Sequence, residues 1–305
     1  MSDVTRIPDV VVVGCAARDI TADDARGWRL GGGVTYGALA LARLGVHVGV
    51  VVGLDPLARD AAELGLIEAA GGTVIRVPVA QGPVFHNEER PTGRVQTCLT
   101  TSDPVPTDAL PAGWRQAPAW YLAPVASEIP DAWADVPRPR ALVAFGWQGI
   151  LRHLYPGERV WPLDPGPSPL LARADIVGVS RHDIPHGLRM DDIARWLGSP
   201  CELLLTAGPH GGILLRYLRG RLVGGRTWPG LPIHAEVDAT GAGDTMLAGV
   251  LAARVVADRR GEDGRDLRLG ALASSLVVEG PGMSAVPARA AIRSRDTLLR
   301  SGGRP

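Results

Sequence analysis

Short apolar runs alternate with longer segments of helical periodicity along most of the chain. The apolar runs have the length of a strand and are rich in Val and Leu. Continuous apolar strands are typical of a parallel sheet that helices cover on both faces. The pattern therefore predicts an α/β fold in three α/β/α layers around a mainly parallel sheet. The predicted strands are 9–14, 47–53, 73–77, 120–122, 141–145, 176–179 and 202–206, and the clearest predicted helices are 36–44 and 57–70.

One segment, at about 82–101, departs from this alternation. It contains two strand-like runs with interleaved polar and apolar residues, joined by a turn at Pro91, Thr92 and Gly93. Such a pattern predicts a β-hairpin that is too polar to lie in the core. The hairpin is either an ordinary surface element or a small lid over a substrate. We expect one domain over 1–305 that carries this hairpin.

The composition excludes several kinds of phosphate chemistry. The 305 residues include 32 Lys+Arg and 32 Asp+Glu, and every one of the 32 basic residues is Arg. A Walker A loop, a protein kinase and a pyridoxal enzyme each need a lysine, so all three are excluded. A balanced charge also argues against a nucleic-acid partner or an electrostatic membrane anchor. If the chain transfers phosphate, backbone amides, Arg and a metal ion must neutralise the charge.

The cysteines and the first residues indicate a compartment. Cys15, Cys98 and Cys201 are odd in number and far apart, so they predict neither a disulfide framework nor a zinc site. Residues 1–9 contain acids and a proline without an apolar core, so we expect no signal peptide. The apolar runs are too short to span a membrane. We therefore expect a soluble, cytoplasmic protein.

Candidate chemistry is concentrated at 237–245, where small residues open directly into an Ala-rich apolar helix. The start of a helix has unpaired N–H groups and the positive end of the helix dipole, so it can bind an anion. Asp244 lies at the mouth of this site, where a carboxylate could accept a proton from an attacking hydroxyl group. Alternatively, Asp244 is only a helix cap and the glycines only form a tight turn.

The run DATGAGD at 238–244 resembles the signature of the ribokinase-like (PfkB) carbohydrate and nucleoside kinases. This resemblance implies a ribokinase-like fold and makes Asp244 the catalytic base. It also implies an anion hole and a site for a monovalent cation such as K⁺. The anion hole would consist of Gly241, Ala242 and Gly243, and the cation site would include Asp238, Thr240 and Ser284.

The N-terminal part of the chain extends the resemblance to the acceptor site. Asp19 follows the first strand and would bind the hydroxyl groups of a substrate, as the resemblance implies. Gly32 and Gly33 resemble the family's Gly-Gly loop, where the backbone lies against the sugar. Tyr36 replaces an asparagine that many relatives have. Its ring either lines an aromatic pocket for a ring-bearing substrate or packs beneath the helix.

Two further segments resemble the family's donor site. The turn after the strand 202–206 is similar to the nucleotide-contacting turn, or else it is a plain connecting loop. Ser180 and Asp183 stand where many relatives have Asn-x-x-Glu, which implies that Asp183 helps to organise Mg²⁺. The residues implied to contact ATP are Ser180, Thr206, Gly208 and Gly211.

The resemblance favours the lid interpretation of the hairpin, because relatives have a small β-sheet over the sugar. Asn87 and Arg94 would then reach the substrate or its phosphate group. Arg94 would provide a cation near the transferred phosphate in a chain without lysine; the alternative is an ordinary solvated charge. A homodimer formed through the lid is a further prediction of the resemblance.

Together these residues predict an ATP- and Mg²⁺-dependent kinase that phosphorylates a hydroxyl group of a sugar, polyol or nucleoside. A second hypothesis is a sugar- or nucleotide-binding sensor that descends from a kinase and has no turnover, which the departures at Tyr36 and Ser180 motivate. A third is a nucleotide hydrolase without lysine. A small-molecule acceptor and ATP are the expected partners, with neither nucleic acid nor membrane.

Overall fold

A computed structural model of the protein describes residues 4–90, 93–185, 187–261, 264 and 266–305. Strands and helices alternate along the described chain. The strands are β1 (Val10–Cys15), β2 (Ala17–Ile20), β3 (Trp28–Gly31), β4 (Val48–Leu54), β5 (Thr73–Pro78), β6 (Val84–Arg90), β7 (Gly93–Thr100), β8 (Ala119–Leu122), β9 (Leu142–Gly146), β10 (Arg152–His153), β11 (Glu158–Arg159), β12 (Trp161–Pro162), β13 (Ile176–Ser180), β14 (Cys201–Thr206), β15 (Gly212–Leu218) and β16 (Arg221–Trp228). The α-helices are α1 (Gly33–Arg43), α2 (Leu64–Ala69), α3 (Pro169–Arg173), α4 (Met190–Ala194), α5 (Ala242–Arg260), α6 (Arg268–Val277) and α7 (Arg289–Arg300).

Nine strands form the main sheet, in the spatial order β16-β15-β14-β13-β9-β8-β1-β4-β5. The strands from β14 to β5 are all parallel, whereas β15 and β16 form an antiparallel edge. The chain proceeds from β1 to β4 and β5 on one side and later adds β8 and its successors on the other side. The loops that follow β1 and β8 therefore diverge, which opens a crevice at the carboxyl ends of these two strands.

The strand β1 shows why the sheet lies between two layers. Its Val side chains alternate between the two faces of the sheet, and all of them are fully buried. Val10 and Val12 belong to a core that includes side chains from α1 and α5, whereas Val11 and Val13 belong to the core that contains Trp120. Apolar contacts on both faces require an apolar residue at every position of the strand. The predicted three-layer α/β fold is confirmed.

A second sheet of five strands, in the order β11-β7-β6-β2-β3, includes the predicted hairpin, and we refer to this sheet as the lid. The predicted hairpin corresponds to β6 and β7, which pair in antiparallel fashion. The lid is larger than the predicted hairpin, because β2 and β3 pair with each other and β2 pairs with β6. The second strand places Asp19 opposite Phe85, so this carboxylate belongs to the lid sheet itself.

The helix predicted over 57–70 is shorter in the structure, where only Leu64–Ala69 is α-helical. The preceding residues form turns around Asp55, whose carboxylate accepts hydrogen bonds from the N–H groups of Leu57 and Ala58 at 3.0 and 2.8 Å. The same carboxylate pairs with Arg18 at 2.9 Å. A tertiary contact therefore stabilises turns where the apolar spacing predicted a helix.

Two further expectations concern the state of the cysteines and the absence of a membrane-spanning segment. Cys15, Cys98 and Cys201 are buried and free of disulfides, which fits their interpretation as small apolar residues. Among the described helices, none combines the length and the apolar character that are needed to cross a bilayer.

Candidate active site

A cavity of about 540 Å³ lies at the carboxyl ends of β1 and β8. Its walls come from the lid, from the loops that follow the parallel strands and from the start of α5. This is the position at which an open α/β sheet binds ligands, because the diverging loops leave room there. The sequence-predicted residues that line it are Asp19, Gly32, Gly33, Tyr36, Asn87, Ser180, Asp183, Thr206, Gly208, Gly211, Thr240, Gly241, Ala242, Gly243 and Asp244.

Asp244 lies in the first turn of α5, beside the residue that precedes the helix, Gly241. The Tyr121 hydroxyl donates a hydrogen bond to Asp244 Oδ1 at 2.9 Å. Burial raises the pKa of Asp244, and the Tyr121 hydrogen bond and the positive charge of Arg152 oppose this rise. The carboxylate can therefore act as a proton acceptor at the start of a helix, and its pKa lies above that of an exposed aspartate.

Close packing of glycine backbone fixes the position of Asp244. A Cβ atom on Gly33 would lie 2.6 Å from Asp244 Oδ1, so only glycine leaves room for the carboxylate at the start of α1. Gly241 has φ 78°, and a Cβ atom there would lie 2.1 Å from Cδ1 of Tyr36. The loop that begins α1 and the loop that begins α5 are thus in contact.

The ring of Tyr36 was predicted either to line a pocket or to pack beneath the helix, and in the structure it does both. The residue is only 2% exposed and packs against Gly241, and it also lines the cavity. Burial raises the pKa of its phenol, and the charges of Asp238, Asp19 and Asp244 add to this effect. Tyr36 is therefore an un-ionised aromatic wall between the two loops.

A chain of polar side chains occupies the lid end of the cavity. Asn87 Nδ2 donates a hydrogen bond to Asp19 Oδ1 at 3.3 Å, and Gln96 Nε2 donates to Asn87 Oδ1 at 2.8 Å. Asn87 is the only asparagine in the sequence. The chain orients the Asp19 carboxylate, which can accept hydrogen bonds from hydroxyl groups of a ligand.

The opposite end of the cavity lies beside the turn that follows β14. Thr206 ends this strand, and Gly208–His210 form a single 3₁₀ turn. Gly211 has φ 84°, and a Cβ atom there would lie 2.1 Å from the carbonyl oxygen of Trp228. Ser180 lines the same end, and its Oγ accepts a hydrogen bond from the N–H of His182 at 3.2 Å. The predicted donor residues therefore share one wall of the cavity.

Asp183 is the residue in the cavity wall that could contribute to a magnesium site. Gln148 Nε2 donates a hydrogen bond to Asp183 Oδ1 at 2.9 Å, which leaves the other carboxylate oxygen without a hydrogen bond from the described residues. The described residues contain no group of three or more His, Cys, Asp or Glu side chains that could hold a metal ion. Mg²⁺ in a phosphate site needs only one or two carboxylates, together with phosphate oxygens and water, so Asp183 fits this role.

Two of the three residues predicted to bind a monovalent cation, Asp238 and Thr240, line a second, adjoining cavity of about 560 Å³. Asp238 Oδ1 accepts a hydrogen bond from the N–H of Thr240 at 2.9 Å, and its Oδ2 accepts one from the N–H of Gly282 at 3.4 Å. Ser284 is exposed and donates its hydroxyl to the carbonyl of Pro281 at 2.9 Å. Its side chain lines neither of the two cavities.

Two predicted contributions to phosphate binding, from Arg94 and from the N–H of Ala242, have different outcomes. The side chain of Arg94 lies outside the described residues, so its predicted role stays a prediction. The N–H of Ala242, predicted to contribute to the anion hole, donates to the carbonyl of Ala239 at 3.3 Å within the turn. Gly241 and Gly243 line the cavity beside it.

The sequence analysis missed Tyr121 and Arg152. Tyr121 lies in the apolar strand β8, one residue before its carboxyl end, and this position is the signal that could have identified it. Arg152 lies in β10, beyond the end of β9, and it lines the cavity. The absence of lysine predicted that some arginine must serve the site but did not indicate which one.

Comparison with known proteins supports the family resemblance. A sequence profile described as pfkB family carbohydrate kinase matches residues 174–289, which include Asp183 and Asp244. The fold is that of ribokinase-family kinases. The resemblance to the ribokinase-like (PfkB) kinases is therefore confirmed. No curated protein sequence matches this chain at a significant level.

Three solved structures illustrate the similarity of fold. A pyrophosphate-dependent kinase of the ribokinase family, in complex with a pyrophosphate analog and myo-inositol, is 19% identical, with 95% of this chain and 99% of that chain covered and a TM-score of 0.70. Ribokinase from Arabidopsis thaliana, in complex with ribose and ATP, is 20% identical, with 95% and 99% covered and a TM-score of 0.65. A nucleoside kinase from Burkholderia thailandensis, in complex with inosine, is 16% identical, with 97% and 100% covered and a TM-score of 0.68.

Proposed function

We propose that this protein is an ATP-dependent kinase that phosphorylates a hydroxyl group of a sugar, polyol or nucleoside. The observation that carries the proposal is the contact between Asp244 and Gly33 inside one continuous cavity. This contact joins a proton acceptor at a helix start to the loop expected to bind the acceptor molecule. The same cavity extends to the turn at Gly208 and Gly211, so donor and acceptor would meet beside Asp244.

In the proposed reaction, the acceptor hydroxyl loses its proton to a carboxylate oxygen of Asp244. The acceptor oxygen forms a bond to the γ-phosphorus of ATP while the bond from that phosphorus to the bridging oxygen breaks. The products are the phosphorylated acceptor and ADP. Charge that develops on the transferred phosphoryl oxygens is stabilised by the backbone N–H groups and the dipole at the start of α5.

Other residues would hold the two substrates. Asp19 would accept hydrogen bonds from acceptor hydroxyl groups while Asn87 orients it. Mg²⁺, held through Asp183 and the donor phosphates, would supply charge neutralisation when bound. The lid would exclude water, so that ATP is not hydrolysed. Ser180 and Thr206 would contact the donor beside the two glycines of the turn.

Three parts of the proposal have no support from the geometry of the site. Of these, a monovalent cation at Asp238, Thr240 and Ser284 and a homodimer formed through the lid are implied by the resemblance. The third, a location in the cytoplasm, comes instead from the number and spacing of the cysteines.

The test is product formation from Mg²⁺ and ATP across a panel of sugars, polyols and nucleosides. Pyrophosphate is included as a second donor, because one of the similar solved structures is a pyrophosphate-dependent kinase. We expect one acceptor class to raise ADP release and to yield a phosphorylated product by mass spectrometry. Asp244→Asn should lower kcat by at least about 10³-fold, because it removes the base.

Asp244→Asn is a suitable control because it should leave the protein folded. Burial raises the pKa of Asp244 in the folded state, so the protonated carboxyl group favours folding at low pH. That contribution is lost as pH rises through the raised pKa. At neutral pH, replacing the buried carboxylate with a neutral amide should therefore not lower thermal stability.

The panel also separates the alternative functions. A sensor would be stabilised against heat by a sugar or nucleotide but would release no ADP with any acceptor. A hydrolase would release ADP at a rate that no acceptor increases. Full activity of Asp244→Asn would rule out the proposed mechanism.

A further inference from the structure

Arg152 is the only arginine that lines the cavity among the described residues. The other charged side chains of this wall are mostly acids, namely Asp19, Asp183, Glu236 and Asp244. A nucleoside triphosphate carries several negative charges, so a wall of carboxylates alone would repel it. The cavity therefore has one fixed cation where a kinase of the proposed kind needs positive charge.

Arg152 differs from every other buried or half-buried arginine that the structure describes, because none of the described residues is a polar partner of its guanidinium. The others form an ion pair with a carboxylate or donate hydrogen bonds to backbone carbonyls. These paired arginines are Arg18, Arg29, Arg43, Arg173, Arg254, Arg268 and Arg295. A half-buried guanidinium without an acceptor is costly, because it has five N–H donors to satisfy. The structure thus leaves these donors available for a ligand.

The acids around Arg152 already have other partners. Gln148 donates to Asp183, Tyr121 donates to Asp244, and Asn87 donates to Asp19. None of these carboxylates lies within 4.0 Å of the guanidinium nitrogens. Their charges nevertheless act on Arg152, first Asp183 and then Asp244, and partly offset the lowering of its pKa by burial.

Glu128, the remaining acid that acts on Arg152, is only 1% exposed. Its carboxylate accepts hydrogen bonds from the backbone N–H groups of Cys15, Val125 and Ala126 at 2.7 to 3.1 Å. This carboxylate therefore links the end of β1 to the loop that follows β8, and it is not an available partner for the guanidinium.

The segment that carries Arg152 is firmly anchored. Trp147 begins a single 3₁₀ turn and Leu151 follows it, and both side chains are buried in the core. The guanidinium carbon of Arg152 lies 5.8 Å from the ring centre of Phe85, on the lid strand β6. The arginine is thus in contact with the lid, and the charges of Asp183 and Asp244 both act on it.

We propose that Arg152 is a further catalytic residue, whose guanidinium binds the phosphoryl group as it moves from donor to acceptor. The inference rests on the proposed function and adds a residue to it. As the acceptor oxygen attacks phosphorus and the bond to the leaving ADP breaks, negative charge remains on the three equatorial phosphoryl oxygens. The planar guanidinium can donate two hydrogen bonds to these oxygens, which a point charge cannot do with the same geometry.

The test compares Arg152→Gln and Arg152→Lys with Arg293→Gln, which changes an exposed arginine on α7 that lines neither cavity. With the acceptor found for the wild-type enzyme, Arg152→Gln should lower kcat by about 10²–10³-fold. The KM for the acceptor should change less than threefold. Arg152→Lys should recover part of the loss, because it restores the charge without the planar donor group. Arg293→Gln should match the wild type.

A second measurement does not need an acceptor. MgADP with aluminium fluoride mimics the phosphoryl group in transfer, so it should stabilise the wild-type protein against heat more than MgADP alone. Arg152→Gln should abolish this additional stabilisation and leave the effect of MgADP intact.

The outcomes separate this inference from the proposed function. If Arg152→Gln keeps the wild-type kcat, or raises only the KM for the acceptor, Arg152 does not bind the phosphoryl group, although the kinase proposal still holds. A wild-type protein that neither binds nucleotide nor turns over any acceptor would overturn both.

Discussion

The two sides of the reacting centre are built from different kinds of contact. On the sheet side, side chains pack directly against glycine backbone, as Asp244 does against Gly33 and Tyr36 against Gly241. On the lid side, Asp19 and Asn87 are half-buried and are linked by a hydrogen bond between side chains. The sheet side leaves no space for an additional atom, whereas the lid side consists of polar groups that can rearrange.

This difference indicates a division of roles. Close packing fixes the position of the base to within a fraction of an ångström, because interiors are dense and adjust little. Polar side chains at a half-exposed sheet can be exchanged at a small cost in stability. We therefore expect changes on the sheet side to reduce the chemical step, and changes on the lid side to alter acceptor binding.

Among the substitutions that test this comparison of the two sides, Gly33→Ala should have the largest effect. Its Cβ atom would lie 2.6 Å from Asp244 Oδ1 and 3.4 Å from the Cβ atom of Ala123, so the carboxylate or the start of α1 must move. A misplacement of about 1 Å can cost about 10² in rate, so we expect kcat to fall about 100-fold. Steady-state kinetics with the acceptor found in the panel would measure this loss.

The matched control is Gly65→Ala in α2. This glycine is also helical, but it is exposed and has no heavy atom within 4 Å of the added methyl group. Alanine should stabilise the helix by about 0.5–1 kcal/mol and leave kcat unchanged. Equal kinetics for the two variants would show that the close packing at Gly33 does not position the base.

The same contrast explains how much of the fold could be predicted from the sequence. Strands of the main sheet such as β1 and β4 are continuous apolar runs, because both of their faces are buried. The lid strands β2 and β3 have only four residues each and mix charged with apolar side chains. Such short strands show no clear alternation of apolar and polar residues, so they could not be predicted from the sequence. They are stabilised by pairing with each other and with β6, which only the tertiary fold brings about.

The candidate site divides in a similar way. Asp244 and the glycines before it are contiguous in the chain, so a local motif was enough to predict them. Tyr121 lies 123 residues away from Asp244 in the sequence, and only the order of the strands brings the two together. Arg152 could not be identified for the same reason. When residues come together only in the folded protein, their separation in the sequence follows no fixed spacing, so no sequence motif identifies them.

A smaller effect is expected on the lid side, from Asn87→Ala. The substitution removes the hydrogen bond to Asp19 Oδ1 and the group that accepts from Gln96. A hydrogen bond to a charged group contributes about 1.5 kcal/mol, so the KM for the acceptor should rise about tenfold. We expect kcat to change less than threefold, because Asp244 keeps its position, and initial rates over a range of acceptor concentrations would measure both.

Gln116→Ala serves as the control, because this exposed amide lies in a 3₁₀ turn that lines neither cavity. It should change neither constant. A loss of kcat in Asn87→Ala as large as that in Gly33→Ala would remove the distinction between the two sides of the site.

The smallest effect is expected from Tyr121→Phe, and it depends on pH. This substitution tests whether the Tyr121 hydrogen bond lowers the pKa of Asp244 on the sheet side. The Tyr121 hydroxyl favours the charged form of Asp244, so its loss should raise the pKa of that carboxyl group further. The base is active only when ionised, so the acid limb of the kcat/KM profile should move up by about one pH unit. Rates well above this pKa should stay near those of wild type and of Tyr155→Phe, an exposed tyrosine outside the cavity. If the acid limb of the kcat/KM profile does not move, the Tyr121 hydrogen bond does not control the ionisation that this limb reports.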